Sequence, residues 1–510
     1  MLCLPVPAGA KSSHAAVPAS LRAAAAAHPG QVFDVIVQAR GAATSTDVAG
    51  AVRGSGRGHV KDTFAAFDSV SASLTGAGLL RLSEQPGVAA VTPDSPVAPT
   101  LKNPQTWVSG PRIDWFWGSP SYRAPGYQAA TIAIVDSGID NSNNEFGNRL
   151  LTQVDLTSTA PDTRADGRGH GTFVAGVAAS SGAYAGAAPN ANIVSLKVFN
   201  DLGQGRTSDV LRACDWLLQN KDRYNIRVAN FSLESGLATS FRFDPLDRAV
   251  EKLWESGIVV VAAAGNDTTN GQANGVLFSP ANDPFVVTVG AVDDYGSSNA
   301  GDDFNAPWSS YGYTVDGFAK PEVAAPGRYM IEWVPPGSTL AAERPDAVVS
   351  DGMQLSGTSF AAPVVSGIAA DLIGMHPTWT PDQVKGELMR SATPLYSASP
   401  LSAGVGEVNI QKAVQDKGAP PNPNAALDAF LVPDPAGGPY PVFDSASWVN
   451  AARNSASWNS ASWVDASWNT ASWNTASWNT ASWLSASWNT ASWLNVQVVD
   501  NAASETGGDD

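Results

Sequence analysis

From about residue 107 to residue 414 the chain alternates near-continuous apolar runs with stretches of helical periodicity. The apolar runs fall at 130–135, 191–198, 228–233, 258–263 and 285–290. Strands buried on both faces of a sheet read this way, because neither face meets water. Helical stretches lie between them at 172–179, 207–220 and 245–256. The alternation predicts an α/β unit with a doubly wound, mostly parallel sheet. In that architecture chemistry collects at the carboxyl ends of the strands.

Ahead of this block, residues 31–98 carry a pattern of their own. Val32-Phe33-Asp34-Val35-Ile36-Val37-Gln38 reads as a strand. A helical region in two pieces follows, near 48–52 and 60–67, then a short strand at 69–74, a helix at 76–83 and a closing strand at 87–94. That order predicts a small α+β unit, a ferredoxin-like split βαβ sheet. Proline-rich residues 96–105 read as an extended linker. Residues 1–30 are expected to be a residual leader and a flexible N-terminus. The opening ten residues end in a small-residue Ala-x-Ala pattern but have no basic region before it.

After residue 416 the composition shifts. Proline and glycine crowd 417–443, which predicts a linker. Residues 444–496 then repeat Asn-Thr-Ala-Ser-Trp and variants with period five, placing tryptophans at 448, 458, 463, 468, 473, 478, 483, 488 and 493. Period five keeps side chains on neither one helix face nor one strand face. A stacked β-solenoid, a segment that binds glycans or cell wall, and a sticky spacer each fit it. Residues 497–510 read as an acidic C-terminal tail.

Composition narrows the partners. With 30 Lys+Arg against 47 Asp+Glu the formal charge is −17, which repels phosphate and argues against nucleic acid. No uninterrupted apolar run nears the roughly 18 residues of a membrane span, so no transmembrane segment is expected. The two cysteines, Cys3 and Cys214, support no disulfide framework; Cys214 reads as a small buried residue of a helix.

Three polar residues stand at strand or helix junctions. Asp136 follows the apolar run that ends at Val135. His170 lies in Gly169-His170-Gly171-Thr172 at a helix start, and Ser359 in Gly357-Thr358-Ser359-Phe360-Ala361-Ala362-Pro363, also at a helix start. A serine hydroxyl needs a base to take its proton, and a histidine held by a buried carboxylate is such a base. At a helix N-terminus, unpaired N–H groups and the helix dipole would favour negative charge developing beside Ser359. Each residue also has a bland reading: a turn aspartate, a satisfied histidine, a serine cap.

Taken together and in this order, these segments resemble the subtilases, the subtilisin-like serine proteases. Ala262-Ala263-Ala264-Gly265-Asn266, Ser279-Pro280-Ala281, Val289-Gly290-Ala291-Val292 and Lys320-Pro321-Glu322-Val323-Ala324-Ala325-Pro326-Gly327 extend the likeness over residues 107–416. The resemblance implies a secreted endopeptidase acting on protein or peptide substrates through Asp136, His170 and Ser359. Asn266 and the Ser359 backbone N–H would form the oxyanion hole. It further implies substrate binding along Ser232, Leu233 and Glu234 and at Ala264 and Gly265.

The family often has glycine where Glu234 stands, so that side of the cleft would be narrower or more acidic. Asp267 would place a second carboxylate near the specificity pocket, or be a solvated loop charge. Phe173 replaces a second, non-catalytic histidine of the family pattern. No cofactor is implied. A structural calcium is compatible with the family, but no loop has a convincing calcium-ligand spacing.

The N-terminal unit is similar to the family's inhibitory propeptide along Leu80-Arg81-Leu82-Ser83-Glu84-Gln85-Pro86-Gly87-Val88-Ala89-Ala90-Val91. This implies an intramolecular inhibitor removed by autocleavage between Pro93 and Trp107. The alternative is a catalytically silent subtilase that contacts cell surfaces or glycans through its Trp repeats. An intact triad and oxyanion asparagine weigh against that alternative.

Overall fold

The computed structural model describes residues 14–94, 105–454 and 497–500, apart from positions 57, 161, 163, 270, 299–301, 350–351 and 396–400. The repeats from Trp458 to Trp493 lie outside the described residues. The chain divides into two compact units near residue 101.

The N-terminal unit contains helix α1 (Ala19–Ala27), strand β1 (Val32–Ala39), helix α2 (Ser45–Gly54), strands β2 (His59–Phe64) and β3 (Ser69–Thr75), helix α3 (Gly76–Ser83) and strand β4 (Val88–Pro93). The four strands form an antiparallel sheet in the order β2-β3-β1-β4. Helices α2 and α3 contribute Val48, Val52, Leu79 and Leu82 to one core with Val35, Val37, Val70, Leu74, Val88 and Val91. Thr44 starts α2 with a reciprocal cap: its side chain accepts from the Asp47 N–H, and the Asp47 carboxylate accepts from the Thr44 N–H.

Two expectations are corrected in this unit. The second helical piece, 60–67, is strand β2 followed by one tight turn at Ala65–Phe67. Gly54, Gly56 and Gly58 end the preceding helix, and pairing with β3 satisfies the backbone that a helix would otherwise use. The expected flexible N-terminus forms a helix within its described residues. Helix α1 packs on α3 and buries Leu21, Ala24 and Ala25, so its alanine-rich sequence serves close helix packing.

In the larger unit the strands include β5 (Thr131–Asp136), β6 (Leu150–Asp155), β7 (Ile193–Lys197), β8 (Gln204–Arg206), β9 (Ile226–Phe231), β10 (Leu233–Ser235), β11 (Val259–Ala263), β12 (Val287–Asp293) and β13 (Phe304–Asn305). The main sheet runs β13-β12-β11-β9-β5-β7-β6, with Val323–Pro326 also paired to β12. All its pairings are parallel except β12 with β13. The five apolar runs are all strands of this sheet. The two-residue β13, β6 and Val323–Pro326 are additions to them. Of the last two, the first alternates exposed and half-buried positions, as an edge strand does, and the second is only four residues long.

Helices Pro245–Glu255 and Thr207–Tyr224 fall where the periodicity places them. Cys214 is buried in the latter, and that burial pushes its thiol up to about 12. Helix Thr358–Met375 packs on β9, β11 and β12. Its 18 residues have a mean hydropathy of 1.4, enough by composition for a membrane span, but the unit's own core buries it. Run length alone does not reveal this, because Ser366, Gly367 and Asp371 interrupt the apolar stretch.

The expected linker at 417–443 is instead packed structure. A short helix, Ala425–Asp428, and a hairpin of Leu431–Val432 with Val442–Phe443 lie against the unit. The Lys385 ammonium donates to the Pro284 and Phe285 carbonyls and to Asn424, tying the segment down. Helix Ser445–Asn454 follows, and its Trp448 is buried, stacked on Phe318 and flanked by Phe241 and Phe443. Proline and glycine content signals turns, but the aromatic anchors decide the packing.

Deep in the larger unit, Asp303 and Glu407 bury their carboxyls together, and no other donor among the described residues reaches them. Burial raises both, Asp303 strongly, with the neighbouring Glu407 charge adding to the rise, and Glu407 to about 7. A carboxyl raised in the folded state stabilises fully below its unfolded pKa and loses that contribution as pH rises through its folded value. Wild type should therefore lose stability through Glu407 between pH 4.5 and about 7. Glu407→Gln, which keeps the shape without the charge, should flatten that part of the profile. By pH 8 it should gain on the order of 1–3 kcal/mol relative to wild type. Thermal melting from pH 5 to 8 reads this directly; parallel profiles for the two proteins would contradict it.

Candidate active site

Strands β11, β9 and β5 are adjacent in the sheet, and a candidate residue stands at or just beyond the carboxyl end of each. Asp136 ends β5, Ser232 follows β9 directly, and Asn266 lies three residues past β11. The fold thus gathers residues separated by 130 positions on one edge, as parallel sheets do.

His170 is the first residue of the helix His170–Ala179. Its Nδ1 lies 2.8 Å from Asp136 Oδ1, and both side chains are fully buried. The Ser137 N–H donates to the same oxygen at 2.7 Å, which fixes the carboxylate on its strand. Such a carboxylate selects the tautomer with its proton on Nδ1 and leaves Nε2 as the basic nitrogen.

The closeness of the two segments depends on glycine. A Cβ at Gly171 would lie 2.2 Å from the Gly138 carbonyl oxygen, and one at Gly138 would lie 1.8 Å from that of Ala165. Gly138 also has φ +102°, a left-handed conformation that side chains disfavour. Asp166, which sequence reasoning missed, clamps the same junction. Its carboxylate accepts from Ser137 Oγ, the Gly169 N–H, and the Thr172 N–H and Oγ1. Burial raises its pKa while these four donors pull against that rise. An acid four residues before a histidine was the available signal.

Ser359 is the second residue of Thr358–Met375, where the helix leaves its backbone N–H groups without intrahelical partners. Pro363 stands four residues on and has no N–H, so the Ser359 carbonyl cannot receive its ordinary helical bond. Ser232 Oγ supplies it instead, at 2.7 Å. Ser232 in turn accepts from Asn230 Nδ2, whose Oδ1 accepts from Ser366 Oγ. This buried chain joins β9 to the serine helix and sets the height of Ser359 above the sheet. Ser359 Oγ lies 3.4 Å from the Ser232 carbonyl oxygen.

The His170 helix packs against the Ser359 helix. Between them the Phe360 ring sits 5.6 Å from the His170 ring and 4.4 Å from the Phe173 ring, centre to centre. Phe173, the departure from the family pattern, therefore fills the helix interface behind the histidine.

Asn266 Oδ1 accepts from the Thr358 N–H at 2.9 Å and from Thr358 Oγ1 at 3.0 Å. The backbone N–H can only donate, so the amide oxygen must face it and Nδ2 must point the other way. The Gly265 N–H donates to Thr358 Oγ1 at 3.1 Å, closing the link between the loop and the helix start. Ala264 is buried and held by its N–H to the Val289 carbonyl.

Gly265 has φ +101°, and a Cβ built there would meet Glu234 Oε2 at 3.1 Å and Asp267 Oδ2 at 3.4 Å. Two carboxylates therefore converge over one glycine, beside Asn266. Partial desolvation raises the Asp267 carboxyl from its ordinary value, although the residue is exposed at the surface. Leu233 is buried in β10, whose backbone is the expected substrate edge. Among the described residues, no group of three His, Cys, Asp or Glu side chains is arranged to hold a metal ion.

A buried Asp–His pair, a serine at a helix N-terminus and an asparagine amide bonded to that helix start make an arrangement suited to acyl transfer. The family model for Peptidase_S8, the subtilase family, matches residues 128–420. Serine protease AprX of Bacillus subtilis is 36% identical over 300 residues, 56% of this chain and 66% of that protein. Subtilisin E of the same species is 32% identical over 363 residues, 70% of this chain and 84% of that protein. The extracellular serine proteinase of a Thermus species is 32% identical over 335 residues, covering 65% and 72%. The chain belongs to the subtilase family and is a serine-type endopeptidase with a subtilisin-like parallel sheet.

Proposed function

We propose that this endopeptidase works through Asp136, His170 and Ser359, with Asn266 and the Ser359 backbone N–H as oxyanion donors. The observation that carries the reading is the 2.8 Å bond between two fully buried side chains, His170 and Asp136, beside the Ser359 helix. In this account His170 Nε2 takes the Ser359 proton as Oγ attacks the peptide carbonyl. Asp136 stabilises the imidazolium, and His170 returns the proton to the leaving amine. Water then repeats the sequence on the acyl-enzyme. Negative charge on the carbonyl oxygen meets Asn266 Nδ2 and the Ser359 N–H, both positioned before the reaction begins. Subtilases need no cofactor for this chemistry.

The substrate backbone pairs with Ser232, Leu233 and Glu234 by strand addition, and Ala264 and Gly265 line its side-chain pocket. Glu234 and Asp267 over Gly265 make that pocket anionic. A lysine or arginine on the acyl side of the cut bond would gain charge-assisted hydrogen bonds from these carboxylates. Substrates with arginine there should surpass those with norleucine by roughly 10–100-fold in kcat/KM, as one or two such bonds imply. The double variant Glu234→Gln, Asp267→Asn should erase most of that ratio. An unchanged ratio would show that neither carboxylate reads the substrate.

The N-terminal unit acts as an inhibitory propeptide, cut by the enzyme between Pro93 and Trp107, and the mature enzyme is secreted. Residue likeness along 80–91 and the separate core of the unit support this. Intact mass and N-terminal sequencing of purified active protein test it. A mature N-terminus between 93 and 107 is expected, and fully active enzyme retaining residues 14–94 would overturn it. The Trp repeats are proposed as a surface-contact or spacer segment.

A further inference from the structure

The short strands β8 and β10 do not pair with each other. A third strand lies between them, Gln497–Asp500, from the far end of the chain. It runs antiparallel to both. Val498 and Val499 pair with Ser235 and Glu234 on one side and with Gly205 and Gln204 on the other. The segment Gln497-Val498-Val499-Asp500 is central in a three-stranded sheet, so both of its backbone edges are paired. The expected acidic tail therefore contains a strand, whose adjacent valines favour that conformation.

Its direction matters. β10 begins one residue after Ser232, and the Ser232 carbonyl lies 3.4 Å from Ser359 Oγ. Leu233, the β10 residue nearest Ser232, pairs with Asp500, the last residue of the strand. The C-terminal strand therefore points its carboxyl end toward the serine, as the acyl half of a substrate must. We propose that residues 497–500 are an intramolecular, substrate-like occupant of this edge, competing with incoming peptides for β8 and β10. The inference rests on β10 being the substrate edge, as read above. The tether makes the competition concentration-independent: 42 residues separate Asn454 from Gln497, so the strand is always at high local concentration.

Proline at a central strand position removes a ladder hydrogen bond without touching the triad. The test compares Ser359→Ala chains, in which self-cleavage is absent: full length, ending at Asn495, and full length with Val499→Pro. Amide hydrogen exchange at Gln204–Arg206 and Leu233–Ser235 should be at least about tenfold faster in the two altered chains, with the core of the main sheet unchanged. Equal exchange in all three overturns the proposal.

Active counterparts give a second readout. The KM for a peptide with four acyl-side residues should fall several-fold on truncation and on Val499→Pro, with kcat unchanged. A single-residue ester, too short to pair with β10, should show no change. Equal peptide KM values in chains whose mass shows the tail intact also overturn the proposal. Loss of hydrolysis in every chain, including the ester, would instead refute the endopeptidase reading.

Discussion

Replacing Ser359 with alanine should lower kcat by about 10⁶-fold, a magnitude known from the subtilisin family itself, while peptide KM changes little. The precursor should also remain uncut in a protease-free host. The argument is local. The Ser359→Ala variant keeps the helix, because the Ser232 bond is made to the backbone carbonyl of this position and does not involve its hydroxyl. The backbone N–H at 359 and Asn266 stay in place, so the oxyanion donors survive and substrate still binds. Only the nucleophile is lost. Residual hydrolysis above the uncatalysed rate would come from those donors and from positioning. A precursor still cut between Pro93 and Trp107 would assign the processing to another enzyme.

Asp136→Asn should lower kcat by roughly 10³–10⁴-fold with KM within about twofold of wild type. The carboxylate does not touch substrate; it acts through His170. Its Oδ1 receives both the His170 Nδ1 proton and the Ser137 N–H. An asparagine would turn its amide oxygen to the same place, because the Ser137 N–H can only donate. The tautomer would then survive, and the charge that stabilises the imidazolium would be gone. Asp136→Ala, which removes both, should be the more damaging of the two. If Asp136→Asn raised KM and spared kcat, the residue would be holding the cleft together rather than supporting the base.

Much of this site was legible in the residues because it depends on local signals. Asp136 ends a run of apolar residues, and His170 and Ser359 each begin a helix beside glycine. Those positions follow from elementary rules for strands and helix ends. The supporting residues are harder to see. Asp166, Asn230, Thr358 and Ser366 are polar residues common in turns and helix surfaces, and their roles arise only when β9 and two helices meet. Pro363 belongs to the serine motif, but its effect on the Ser359 carbonyl needs the position of Ser232. Phe173 departs from the family pattern, and its contact with Phe360 explains what an aromatic contributes there.

The fold is misread where composition competes with packing. Proline and glycine at 417–443 suggest a linker, yet Phe443 and Trp448 find an aromatic cleft to fill. Residues 60–67 suggest a helix, but an edge strand can pair with β3. The C-terminal strand leaves almost no signal, because two adjacent valines between polar residues are too short a run to stand out from an acidic tail. Only pairing across some 270 positions of sequence gives it a place.

The most direct test of the central claim is where a serine-directed fluorophosphonate attaches. Purified active enzyme, labelled, digested and mapped by mass spectrometry, should carry one adduct, on Ser359. Labelling should stop in the His170→Ala variant, whose fold can be checked by its melting profile. An adduct on any other serine, or labelling of Ser359 at an undiminished rate without His170, would contradict the account.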